Sequence, residues 1–359
     1  MLKTRSLCSR IGRRGFLAGT AAAAVGLSLA PARGRAAEEK QLNVYNWDTY
    51  IGETTLDTFT QKTGIKVQYD LYANNEEMFA KLKAGNPGYD IIIPSDYMVE
   101  TMIKLGMLVP LDHSKIPNIK NIAPQFQNLS YDPGLKYCVP YMWGTVGIGY
   151  RKSKVKGPID SWKAVLDSDE YSQRIALLAD QRVVLGLAMK YLGYPLNSTD
   201  PAQINAARDL LIKQKPHIKA FAPDQGQDML LAGDVDIVME WSGDIIHAAE
   251  EDQDIGFSAP KEGTYLWVDG ACIPTGAPHP ENAHAFLNHI HDPEVNADIA
   301  NTTNYPTSNE AARPFLNPDN LNDPAIYPPQ EVVAKSEGMV DVGDATRHYD
   351  EAWIKIQAG

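Results

Sequence analysis

The sequence predicts an α/β fold, with sheets flanked by helices, on three observations. Strand-like apolar runs alternate with amphipathic helical patterns along most of the chain. At 359 residues the length suits two domains of ordinary size. Hydrophobic residues at 44% and charged residues at 22% match a soluble globular chain and exclude wholesale disorder.

Taken in order, Gln41 to Trp47 (QLNVYNW) reads as a strand, Glu53 to Thr63 as a helix closed by Gly64, and Ile65 to Tyr72 as a second strand. A helix from Asn75 to Ala84 follows, with Asn74 or Asn75 as its cap, then the apolar strand Tyr89 to Ile93 and a helix from Tyr97 to Leu105. Lys136 to Tyr150 is apolar and strand-like, and its Pro140 and glycines suit a crossover. A second α/β set runs through the strand Ile175 to Leu178, helices Val183 to Leu192 and Pro201 to Gln214, the strand Val235 to Trp241 and the helix Gly243 to Glu250. The strand Tyr265 to Ile273 and a helix from Pro280 to Ile290 complete the pattern. The stretch from Pro314 to Pro329, rich in Pro, Asn and Asp, reads as an extended connection.

Residues 1–37 have a different composition. Seven basic residues (Lys3, Arg5, Arg10, Arg13, Arg14, Arg33, Arg35) stand there with no acidic one, around an apolar small-residue run from Phe16 to Ala32. This is the pattern of an export leader, and Arg13-Arg14-Gly15-Phe16-Leu17 resembles the twin-arginine signal. The remainder carries 26 basic against 45 acidic residues, a net charge of about −19, which argues against nucleic-acid or anionic-membrane partners. Export permits Cys138 and Cys272 to pair, but both sit in apolar runs where a buried free thiol is the plainer reading.

Ligands of open α/β sheets bind outside the carboxyl ends of the strands. Four such segments place an aromatic ring within three residues of a carboxylate: Trp47-Asp48-Thr49-Tyr50, Ser95-Asp96-Tyr97, Trp241-Ser242-Gly243-Asp244, and Trp267 with Asp269. A ring face attracts an organic ammonium through its quadrupole, and a carboxylate supplies the charge partner that a desolvated ammonium needs. The implied ligand is a primary amine with a hydrocarbon body, although any single pair also fits a core ring beside a helix-capping Asp. No GxSxG, GxxxxGK[ST], GxGxxG or HExxH motif is present. His279, His284, His289 and His291 lack the spacing of helical metal ligands and read as solvated surface residues. No metal or cofactor is expected.

The stretches QLNVYNWDTY, TGIKVQYD, YDIIIPSDY, YCVPYMWGTVGIGY, WVDGACIP and NYPTSNEAA, with DVG near the C-terminus, resemble the periplasmic spermidine/putrescine-binding proteins of ABC transporters along essentially the whole exported chain. The resemblance implies a two-lobed periplasmic binding protein of type II, with residues 38–147 and 269–313 in lobe one and 148–268 and 314–359 in lobe two. It implies a monomeric, non-enzymatic receptor that closes over a polyamine and hands it to an inner-membrane permease. Trp47, Tyr50, Ser95, Tyr97, Trp241, Trp267 and Tyr305 match cleft-lining positions of the family, Asp180 and Asp269 match ammonium-binding carboxylates, and Asp244 resembles the putrescine-preferring branch. Val183 and Met339 stand where the spermidine-preferring relative carries Glu and Gln, and Asp48-Thr49 reverses the usual order in which the acid precedes Tyr50. These departures favour a diamine over spermidine. A receptor of the same fold for another organic cation or amino-acid derivative, and an exported hydrolase, are the alternatives.

Overall fold

The computed structural model describes residues 38–223 and 225–358, so the expected leader lies outside the described residues. The chain opens with β1 (Gln41–Asn46) and β2 (Lys66–Leu71), joined by a helix, Thr55–Thr63, that stops at Gly64 in the left-handed region (φ +72°). Asn74 caps the next helix, Asn75–Lys83, by accepting from the Glu77 N–H. β3 is only Ile91–Ile92, shorter than the sequence pattern suggests. Asp90 explains this: its N–H still pairs with the Asn43 carbonyl, but its carboxylate, not a backbone carbonyl, takes the Asn43 N–H and also the His279 N–H.

A hairpin of β4 (Asn128–Leu129) and β5 (Asp132–Pro133) leads into β6, a 14-residue strand from Cys138 to Arg151. β7 (Ile175–Leu178), β8 (Ile218–Ala222), β9 (Ile237–Trp241), β10 (Ile255–Ser258) and β11 (Leu266–Cys272) follow. The strand order is β2-β1-β3-β11-β6-β9-β7-β8, with β10 also on β6. β1 pairs in parallel with β2 and β3, and β7 with β8 and β9, the arrangement that helical crossovers produce.

β6 joins two groups of strands. From Cys138 to Thr145 it pairs with β11, and from Val146 to Arg151 it runs between β9 and β10. Pro140 is tolerated in this strand because it sits opposite the register shift between Val268 and Gly270. That shift turns Asp269 out of the regular alternation. Asp269 instead bridges Ser95, at the start of the helix Asp96–Lys104.

Several expectations change. His284, His289 and His291 are buried, not solvated, because each finds backbone partners inside the fold: His284 accepts from the Asp112 N–H, and His289 and His291 lie against the carbonyls of Thr55 and Pro140. The connection from Pro314 contains a helical turn, Pro318–Asn322, capped by Asn317. The sequence reading passed over helices Pro293–Thr303, rich in Asn, Asp and Thr, and Thr346–Ala358, rich in charged residues although its Tyr349, Ala352 and Ile356 form a buried helical face. Cys138 and Cys272 are both buried, as their apolar runs suggested.

Candidate functional site

One pocket gathers Trp47, Asp48, Tyr50, Ser95, Trp241, Asp244, Trp267, Asp269 and Tyr305. The cavity between them is about 40 Å³, well under the roughly 300 to 1,000 Å³ of small-molecule sites, so the rings stand close together. The rings form a cage. Trp267 stands edge-on to Tyr305 at 4.9 Å and to Trp241 at 6.1 Å, and Tyr50 lies 5.5 Å from Tyr305. Trp47 is pinned by its Nε1, which donates to the Ile93 carbonyl at 2.8 Å, and packs on Tyr72.

Glycines permit this packing. Gly144 on β6 lies directly across from Trp267 on β11, and a Cβ there would meet the indole at 2.5 Å. Gly243, after Trp241, leaves room for Tyr305, whose ring a Cβ would meet at 2.5 Å. Gly144→Ala is therefore expected to displace Trp267 and weaken ligand binding, with an overpacking cost of about 1–3 kcal/mol. Calorimetric titration beside a melting curve checks it: unchanged affinity would show that Trp267 does not depend on this gap.

The electrostatics centre on Asp269, which is 6% exposed. Burial pushes its carboxyl up to about 7, and the hydroxyls of Ser95 and Tyr50 turned toward it oppose that rise only in part. Asp269 Oδ1, Tyr50 Oη and Trp267 Nε1 are all buried without a partner in hydrogen-bonding geometry. Three orphaned polar atoms around one pocket ask for a ligand that donates to the carboxylate and lays apolar surface on the rings. Ser95 is held in turn by Asn75, whose Nδ2 donates to its Oγ while its Oδ1 accepts the Ser95 N–H, both at 3.1 Å. Asp244 accepts from the Tyr305 hydroxyl at 3.1 Å, and Asp48 is exposed at the pocket edge.

Four expected residues lie elsewhere. Asp180 lines an adjoining pocket that shares Trp47 and Trp241 with the first, and its Oδ1 caps the helix Gln181–Tyr191. Tyr97 is buried outside the pocket, donating its hydroxyl to Glu76 at 3.0 Å, with the Arg182 guanidinium 5.4 Å from its ring. Asp96 faces away and accepts from Tyr265 Oη, the Met339 N–H and the Tyr97 N–H. Thr49 is exposed, with a left-handed backbone (φ +48°) that lets Trp47 and Tyr50 converge.

The sequence reading gave no site role to Asn75, Glu76, Gly144 or Gly243. Glu76 feels burial and the Asp180 charge, which raise its carboxyl to about 7, but its exposed position lets water screen that effect, and Asp269 is the stronger case. An acid in a first helical turn is ordinary, so nothing in the sequence set Glu76 apart.

The strands shared through β6 and the ring-lined pocket define a two-lobed solute receptor, and comparison with known proteins agrees. The model of the bacterial extracellular solute-binding protein family matches residues 54–328, and the chain belongs to that family, whose members bind solutes and are not enzymes. The chain is 38% identical over 339 residues to the spermidine/putrescine-binding periplasmic protein of Escherichia coli K12, covering 94% of this chain and 97% of the relative. It is 37% identical to the putrescine-binding periplasmic protein SpuD of Pseudomonas aeruginosa UCBPP-PA14, covering 90% and 94%. Among solved structures, a putative spermidine/putrescine ABC transporter protein of Listeria monocytogenes superposes with a TM-score of 0.84 at 35% identity, covering 89% of this chain and 99% of that one.

Proposed function

We propose that this chain is the periplasmic receptor of a polyamine ABC transporter and that a putrescine-type diamine is its preferred cargo. The orphaned Asp269 Oδ1 inside the aromatic cage carries the reading. One ammonium sits against Asp269, the methylene chain lies between Trp267, Tyr305, Trp47 and Trp241, and the second ammonium faces Asp244 or, past the two shared tryptophans, Asp180. Asp48 guards the pocket edge. Asp96, Tyr97 and Thr49 support the wall, and their contacts assign them no direct hold on the ligand.

Lobe one comprises residues 38–147 and 269–313, and lobe two residues 148–268 and 314–359. The change of β6 partners between Thr145 and Val146 supports the first boundary, and β11 crosses the second, since Leu266–Val268 pair with the lobe-one part of β6. Closure of the lobes excludes water from ion pairs that would be weak if left wet, and the closed form is what the inner-membrane permease receives.

A triamine brings three ammonium groups, and each one buried without a partner costs several kcal/mol. Val183 and Met339 are buried, apolar and outside both pockets, so neither supplies a further acceptor there. Putrescine or cadaverine is therefore expected to bind at least about tenfold tighter than spermidine, about 1.4 kcal/mol. Side-by-side titration decides it. Equal affinity or a spermidine preference would overturn the diamine assignment and point to Asp48 as a substitute partner, which Asp48→Asn would then expose by weakening the longer amine.

A further inference from the structure

The two cysteines of the described chain face each other across the strands that connect the two groups of the sheet. Cys138 opens β6, Cys272 closes β11, and they are register partners in the antiparallel pair. The backbone identifies the kind of pair. The Cys138 N–H donates to Asp132 Oδ2 at 2.9 Å, so it takes no part in the ladder to β11. On β11 the Gly270 N–H donates to Pro94, on the side away from β6, and Cys272, two residues on, points its backbone the same way toward its partner Ile92. Cys138 and Cys272 are therefore a non-hydrogen-bonded pair, in which Cα atoms approach to about 4.5 Å and side chains are closest. That separation lies within the roughly 4.4–6.8 Å that a disulfide spans. The exported chain meets an oxidising compartment.

We propose that Cys138 and Cys272 form a disulfide in the exported protein, clamping β6 to β11 beside the register shift that carries Asp269. The bond forms by thiol–disulfide exchange with a disulfide-bearing oxidant protein of the compartment. One cysteine thiolate attacks the oxidant's disulfide, the second displaces the oxidant from the mixed disulfide, and the oxidant leaves as a dithiol. The two cysteines give up two protons and two electrons in all.

The timing follows from burial. Both side chains are fully buried, and contact with Cys272 together with burial holds the Cys138 thiol well above its ordinary range, so the folded chain offers no reactive thiolate. Oxidation belongs to folding in that compartment, before β6 and β11 close, which requires export of an unfolded chain rather than the folded export a twin-arginine leader would give, and the finished bond is shielded from small reductants.

The test maps thiols in full-length protein exported to the periplasm, collected without reductant and denatured in iodoacetamide. Digestion and mass spectrometry are expected to yield a linked Cys138–Cys272 peptide pair lighter than the two separate peptides by two hydrogens, with neither cysteine alkylated. The same preparation reduced first is expected to carry the alkyl group at both positions, and a Cys138→Ala protein at Cys272 without reduction. Alkylation of both cysteines in the unreduced exported protein, or a bond from either to another thiol, overturns the proposal. The result does not depend on which solute the protein carries.

Discussion

Truncation of Trp267 to alanine is expected to weaken amine binding by about 2 kcal/mol or more, roughly thirtyfold, because it removes a ring face and apolar contact together. Trp267 is 4% exposed and packs on Tyr305, Trp241 and Tyr50, so the melting temperature falls as well. Trp143→Ala supplies the control. Trp143 packs on Phe126 and Tyr327, donates its Nε1 to the Thr307 carbonyl and lies outside the pocket. It is expected to lose stability with little change in affinity. Calorimetry on both variants checks the pair, and the opposite ranking would mean that the pocket is not where the amine binds.

Asp269→Asn is expected to act in opposite directions on binding and on stability. Removing the charge leaves a buried ammonium unpaired, a loss of about 2–5 kcal/mol, which is about thirtyfold at the least. Without ligand the variant is expected to melt higher than the parent at pH 8, because a buried carboxylate with an unpartnered oxygen has been replaced by a neutral amide. The pH dependence has the reverse sign from an ordinary salt-bridged Asp. The Asp269 carboxyl stands at about 7 in the fold against 3.8 when unperturbed, so it holds its proton more tightly folded than unfolded. Its effect on the empty protein is nil below about pH 4 and becomes a growing loss of stability as pH rises to about 7. An amine needs the ionised form, so affinity is expected to fall about tenfold from pH 8 to pH 6. Asp269→Asn should flatten most of that slope. Parallel slopes for the two proteins would place the titrating group elsewhere.

Much of this was legible in the sequence, and the reasons are specific. Helix Pro201–Gln214 and strand Ile175–Leu178 have the bounds their patterns suggested, because Asp200, a helix-starting Pro and a four-residue apolar run are local signals. The ring-and-carboxylate pairs at strand ends located eight of the pocket's nine side chains, since strand direction alone decides which end faces a ligand, and the family resemblance added Tyr305. Local pattern does not say which way a residue turns beside a bulge. Asp96 follows a strand-like run and Asp269 lies within one, both near aromatic residues, yet the register shift after Val268 sends Asp269 into the pocket while Asp96 is drawn to Tyr265 and Met339. Gly144 was visible only as a possible crossover glycine. Its pairing with Trp267 is a long-range register that no window of sequence contains.

The central claim, a receptor whose buried carboxylate and ring cage take one diamine, is tested most directly by titrating ligand-free protein with putrescine at pH 8 while following both heat and melting temperature. The expected result is binding of one putrescine per chain, recovered chemically unchanged, with about 2.7 kcal/mol of added stability at about 100 times the dissociation constant and a rise of several degrees in melting temperature. No heat and no melting shift with putrescine, cadaverine, spermidine or spermine at millimolar concentration would contradict it.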